Sequence, residues 1–184
     1  MPFITTFASA SARGFKAPGV STVQTLLDNA TGTNIGNSTV GFSAGGLAAA
    51  FDGTTSQAIA SCCRSNGGNP AWFGKYFSGA AKKWSGFKLY GPNNSALSGN
   101  LSGHTCTWKF YVKATGQSTS RTDGMLVASG TFVVSTSAGG NSAGLSFLTG
   151  ITPTLGESCF VDLEFVGNSG DDVNLAEVQL FYEV

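Results

Sequence analysis

Three stretches of this 184-residue chain alternate apolar and polar residues with a period of two. Phe87 and Leu89 interleave with Lys88 and Tyr90, Trp108, Phe110 and Val112 with Lys109, Tyr111 and Lys113, and Val161, Leu163 and Phe165 with Asp162 and Glu164. Successive side chains of a strand point to opposite faces, so each stretch reads as a strand with one face on a core and the other toward solvent. Turn-forming clusters separate them: Gly91-Pro92-Asn93-Asn94, Ala114-Thr115-Gly116, Ala138-Gly139-Gly140-Asn141 and Gly167-Asn168-Ser169-Gly170. Short strands punctuated in this way predict an all-β protein, an antiparallel sandwich or jelly roll.

The N-terminal part breaks the rhythm. Val23, Leu26 and Leu27 have helical spacing and predict a short helix within residues 21–40, ahead of a Thr/Gly/Asn-rich connection through Asn37. Residues 1–20 carry Phe3, Phe7 and Phe15 among small residues. We therefore read 1–39 as an N-terminal arm or assembly segment and 40–184 as the sandwich, with no internal repeat and no linker that would split it.

Formal charge is zero and only 11% of residues are charged, so the electrostatic footprint of a nucleic-acid or anionic-membrane binder is missing. No apolar run approaches the ~20 residues that cross a bilayer, which argues against membrane insertion. Arg13 and Lys16 follow Phe3 and Ile4 rather than precede an apolar core, so neither an anchor nor a secretory signal is expected. Cys62, Cys63, Cys106 and Cys159 form no CxxC pair and accompany a single His, which excludes the usual zinc spacings and a disulfide scaffold. Cys159 alternates with Val161, Leu163 and Phe165, as a buried thiol would.

Four sets of residues carry possible chemistry. Gly41-Phe42-Ser43-Ala44-Gly45 fits GxSxG, but that pattern works only at a strand-to-helix elbow of an α/β sheet, and the rest of the chain reads as β. Asp162 and Glu164 share a strand face about 6.5–7 Å apart, within the roughly 5–9.5 Å of glycosidase carboxylate pairs; two acids facing water explain the same spacing. Arg64, Asn66, Asn69, His104 and Arg121 are loop donors suited to sugar hydroxyls, and Trp72, Trp84 and Trp108 could each offer a flat face to a pyranose ring. Of these, Trp108 alternates with core residues and is expected inside, whereas Trp84, between Lys83 and Ser85, is expected exposed. Finally, Ala49-Ala50-Phe51-Asp52-Gly53-Thr54-Thr55-Ser56-Gln57 is an acidic turn that, completed by Glu177, could supply oxygens to a hard cation such as calcium, which takes about 6–8 of them. A plain turn with a solvated Asp is the alternative.

The succession AFDGTTSQ, Ala71–Phe77, Gly86–Pro92, Thr107–Ala114 and Leu175–Tyr182 resembles the discoidin, or coagulation-factor C-domain, family of the galactose-binding-like superfamily, including its bacterial carbohydrate-binding modules. The resemblance covers about residues 40–184. It implies an eight-stranded jelly roll whose loops at one end bind a ligand, most often a glycan, and nothing catalytic. It also implies a structural calcium held by the Asp52 side chain, the Ala49, Thr54 and Ala176 backbone oxygens and the Glu177 carboxylate, with Gln57 at a position where the family has Thr. The chain departs from the pattern at Thr54 and Gln57, which leaves two carboxylates, and in lacking a Trp shortly after the loop. Sugar contacts vary across the family, so Arg64 and His104 carry over as loop positions only. The opening MPFITTFASASARGF resembles structural proteins of tailed bacteriophages and gene-transfer particles. That implies a chain folded in the host cytoplasm and working outside it, in the virion, as a homo-oligomer or particle-bound array contacting other virion proteins and a cell-surface polysaccharide. A structural decoration or connector protein, or a detached module of a carbohydrate-active enzyme, remains an alternative.

Overall fold

The computed structural model describes residues 23–37, 42–65, 70–98, 103–166 and 172–184. In chain order the strands are β1 (Gln24–Leu26), β2 (Thr33–Gly36), β3 (Phe42–Ala44), β4 (Cys63–Ser65), β5 (Ala71–Tyr76), β6 (Lys82–Tyr90) and β7 (Thr105–Lys113), then β8 (Met125–Val133), β9 (Leu145–Phe147), β10 (Thr154–Gly156), β11 (Ser158–Phe165), β12 (Asn174–Leu175) and β13 (Glu177–Glu183). A single 3-10 turn, Leu47–Phe51, follows β3, and no α-helix occurs among the described residues.

Every pairing is antiparallel. One sheet runs β1-β13-β6-β10 with β9 also on β6; the second runs β2-β5-β11-β7-β8; a small third sheet, β12-β4-β3, caps one end. The two large sheets face each other over Phe73, Trp84, Phe87, Leu89, Phe110, Val161, Leu163 and Leu180, all with no exposed surface. Each such side chain contributes roughly 1.5–3 kcal/mol by leaving water. Phe87 is the hub, stacking on Phe110 at 5.4 Å and Phe147 at 4.7 Å and meeting Trp108 edge-on at 5.4 Å. The all-β antiparallel sandwich expected from the alternation is what forms.

The helix expected within 21–40 does not. Gln24–Leu26 pairs with Leu26 opposite Phe181, and Thr33–Gly36 pairs with β5, so this stretch supplies one edge strand to each sheet. Leu27 is buried and donates its N–H to Leu180 O at 2.8 Å, a tertiary bond that outweighs a weak local helical spacing. The sandwich thus takes in strands from the segment read as an arm, while Phe3, Phe7 and Phe15 lie outside the described residues.

Two further expectations are corrected. Trp84 is fully buried, and its indole N–H donates to Gly156 O at 2.8 Å. The cause is a β-bulge: Phe181 faces Gly86 while Tyr182 faces Trp84, so Ser85 is an extra residue on β6. An inserted residue reverses which parity points inward. After the bulge Phe87 and Leu89 face the core, and before it Trp84 does. Asp162, expected at the surface, is 2% exposed. Strand β11 lies between β5 and β7, and its outer face is covered: Phe160 packs against Trp72 at 5.1 Å and stacks on Tyr111 at 4.9 Å. Cys159 is a buried thiol as expected, and all four cysteines are free and buried.

Candidate functional site

The ends of β6 and β11, the beginnings of β5, β7 and β13, and the small capping sheet all lie at one end of the sandwich. Val166 N–H donates to Thr105 O, Val134 N–H to His104 O, and Ser65 N–H to Val173 O, which ties the loops there to the strands. Arg64 stands on β4 opposite Asn174. Its side chain is 46% exposed, with Nε donating to Asp172 Oδ2 at 2.6 Å and Nη2 directed to the same oxygen. Asp172 thereby engages one edge of a half-exposed guanidinium, a planar donor group of the type that binds vicinal hydroxyls. His104, half-buried, immediately precedes β7 at the same end. Asn66 and Asn69 lie outside the described residues. Ser43, the serine of the GxSxG pattern, lies in β3 opposite Arg64 in an all-β setting rather than at an α/β elbow.

The other two expected sugar contacts belong elsewhere. Trp84 is in the core. Arg121 is spent within the protein: Nε and Nη2 grip the two oxygens of Asp162 at 3.0 and 2.8 Å, and Nη2 also reaches Glu164 Oε2 at 2.9 Å. Burial pushes the Asp162 carboxyl up and the Arg121 guanidinium pulls it back. The Asp162–Glu164 pair is therefore the seat of a cation clamp holding the 114–124 connection over the outer face of β11. Its carboxylates do not confront each other across an open cleft, which glycoside hydrolysis would require.

A concavity of about 360 Å³ on the outer side of β2 and β5, bordered by Asn34, Asn37, Trp72, Gln117 and Thr119, was not legible in the sequence. The Asn37 amide serves the fold. Asn37 accepts from Trp72 N–H at 2.9 Å and donates to Pro70 O at 3.1 Å, and Trp72 is only 4% exposed, so no aromatic face is offered.

The acidic turn and Glu177 do come together, at the side of the sandwich where β1 and β2 close the edge. Gly53 N–H donates to Glu177 Oε2 at 3.1 Å, and Asn29 Nδ2 donates to Oε1. Asp52 Oδ1 accepts from Thr54 N–H at 2.8 Å, and Gln57 Nε2 donates to both Asp52 oxygens, at 2.9 and 2.8 Å. Glu177 has no exposed surface. Burial pushes its carboxyl up to about 7, against the Gly53 N–H that lowers it. Beneath it, Lys75 is 2% exposed, with its ammonium donating to Asn29 O at 2.6 Å and Thr31 O at 3.1 Å and lying 5.0 Å from the centre of the Phe51 ring. Burial lowers its pKa while the Glu177 charge resists. This arrangement does not fit a calcium ion. The obstacle is the Gln57 amide: its Nε2, a donor, lies 2.9 and 2.8 Å from the two Asp52 oxygens, where a cation bound to that carboxylate needs oxygen ligands and no N–H group.

No family model matches the chain, and no curated protein does. Solved structures do. A family 32 carbohydrate-binding module of C. perfringens NanJ in complex with galactose superposes with a TM-score of 0.60 at 16% identity, covering 86% of this chain and 99% of that one. The lectin domain of lectinolysin complexed with Lewis B antigen gives 0.57 at 18% identity, covering 86% and 98%. A fucose-binding module of Streptococcus pneumoniae, SpX-3, gives 0.53 at 15% identity, covering 82% and 93%. The fold is that of galactose-binding-like β-sandwiches, and these neighbours are glycan-binding modules and lectin domains.

Proposed function

We propose that this protein is a non-catalytic glycan-binding module whose sugar site is the loop end around Arg64, Asp172 and His104. The observation that supports this reading is the half-exposed guanidinium of Arg64, held by Asp172 at one end of a fold shared over 86% of this chain with a galactose-complexed module. Recognition would be shallow, through Arg, Asp and His groups to hydroxyls, and weak for one site; display in several copies raises it through effective concentration. Presentation on a virus-like particle as an attachment domain is the finer form of the proposal, and it draws only on the resemblance of residues 1–15.

A glycan array probed with the protein clustered on a multivalent scaffold tests the reading. Binding to a defined sugar class is expected, and Arg64→Ala is expected to weaken it at least about tenfold, since hydrogen bonds to a charged group contribute roughly 1.5–3 kcal/mol. A modest fall in melting temperature is expected as well, because Arg64 is half-exposed but its partner Asp172 is only 14% exposed. Absence of binding by the clustered wild-type protein at millimolar sugar refutes the proposal.

A further inference from the structure

We infer that the side-chain amide of Gln57 takes the place of a structural cation in the Asp52 turn, so that this edge of the sandwich is held together without metal. The inference concerns the edge between β1 and β2 and is independent of the sugar-binding reading. Three oxygens that a cation at this turn would draw on are Asp52 Oδ1, Asp52 Oδ2 and Thr54 O. Gln57 Nε2 stands 2.9, 2.8 and 3.4 Å from them. A single nitrogen thus sits at the focus of the oxygens, one N–H shared between the two Asp52 oxygens and the other left for the longer contact to Thr54 O. Turning the amide over would set Gln57 Oε1 against both Asp52 oxygens, an arrangement that only a bound cation could make favourable, so the two orientations stand for two different proteins.

The remaining anion is satisfied in the same manner. Glu177 is met by Gly53 N–H and by Asn29 Nδ2 rather than by a metal. Lys75 supplies positive charge from within: its ammonium is buried at this edge, bound to the carbonyls of Asn29 and Thr31, the residues that lead from β1 into β2. One Gln and one Lys thereby divide the two tasks of a structural cation, the first gathering oxygens and the second countering charge.

The test compares thermal unfolding of the wild-type protein and of Gln57→Thr in EDTA and in millimolar calcium, with terbium luminescence as a second readout of ion binding. A threonine hydroxyl presents an oxygen and withdraws the amide N–H groups, which opens the position to a hard cation. The wild-type melting temperature should be the same in both buffers, with no terbium signal. Gln57→Thr should melt lower in EDTA, recover in calcium and bind terbium. Should that variant fail to fold, Gln57→Glu places a third carboxylate in the turn, and it should fold in calcium and unfold in EDTA. A calcium-dependent rise in the wild-type melting temperature, terbium binding by the wild type, or no calcium response in both variants overturns the inference.

Discussion

Replacing Glu177 by Gln should stabilise this protein at alkaline pH and do little in acid. Glu177 is fully buried, and burial raises its carboxyl from the ordinary 4.5 to about 7. The sign follows from where the proton sits. Below pH 4.5 both the folded and the unfolded chain carry it, and the group contributes nothing. Between 4.5 and about 7 the unfolded chain releases its proton first, so stability falls as pH rises; above 7 the loss is complete. At about 1.4 kcal/mol per pH unit between the two values, the full penalty is roughly 3 kcal/mol. Part of it returns when residue 177 becomes neutral, because Lys75 loses a nearby negative charge that favours its own charged form. A net gain of about 1–2 kcal/mol at pH 8 is therefore expected, or roughly 2–8 °C in melting temperature for a domain of this size. The introduced carbonyl oxygen keeps the Gly53 N–H, but the new N–H meets Asn29 Oδ1 only if the Asn29 amide reverses and gives up its contact to Val178 O, which offsets part of the gain. Scanning calorimetry of both proteins from pH 4 to 8.5 checks this. The two curves should meet near pH 4.5 and separate upward to pH 8. A variant that is less stable than wild type at pH 8 and equal to it at pH 4.5 would refute the reasoning, and it is the pattern expected if Glu177 worked as an ionised ligand.

Arg121→Ala should cost about 1–3 kcal/mol, less than loss of a wholly buried partner because the guanidinium is 34% exposed; a urea titration measures it, and sugar binding should be unaffected. Trp84→Phe keeps most of the ring volume but forfeits the bond to Gly156 O, so a loss of about 1–2 kcal/mol is expected from denaturant midpoints. The four thiols should resist alkylation by iodoacetamide at pH 8 in the native state, since burial pushes Cys62 up to about 11 and Cys106 up to about 12, with Cys63 and Cys159 also raised. All four should react at once in guanidinium, and mass spectrometry counts the adducts.

Much of the fold is legible from residues alone because alternate side chains of a strand point to the same face, and here one such set meets the core between the sheets. The period in Phe87–Tyr90, Trp108–Lys113 and Val161–Phe165 survives directly in β6, β7 and β11. Where the reading failed, the decisive partner was far away in sequence. Nothing around Leu26 reveals that Phe181 will lie beside it, and nothing around Ser85 reveals a bulge opposite Phe181 and Tyr182 that turns Trp84 inward. Asp162 reads as solvated because Arg121, which covers it, is 41 residues away. At the Asp52 turn the meeting with Glu177 was legible, but the direction of the Gln57 amide, on which any metal preference depends, is a matter of orientation that composition does not encode.

Strand β13 lies between β1 and β6, joining the earliest described strand to the middle of the chain. During synthesis, then, the sheet has a gap at its centre until residues 177–183 have been made, and the two ribbons on either side present unpaired backbone to anything nearby. A nascent chain of this kind is most prone to mispairing with its neighbours in the interval after β6 has been made and before the one segment that zips the sheet shut exists.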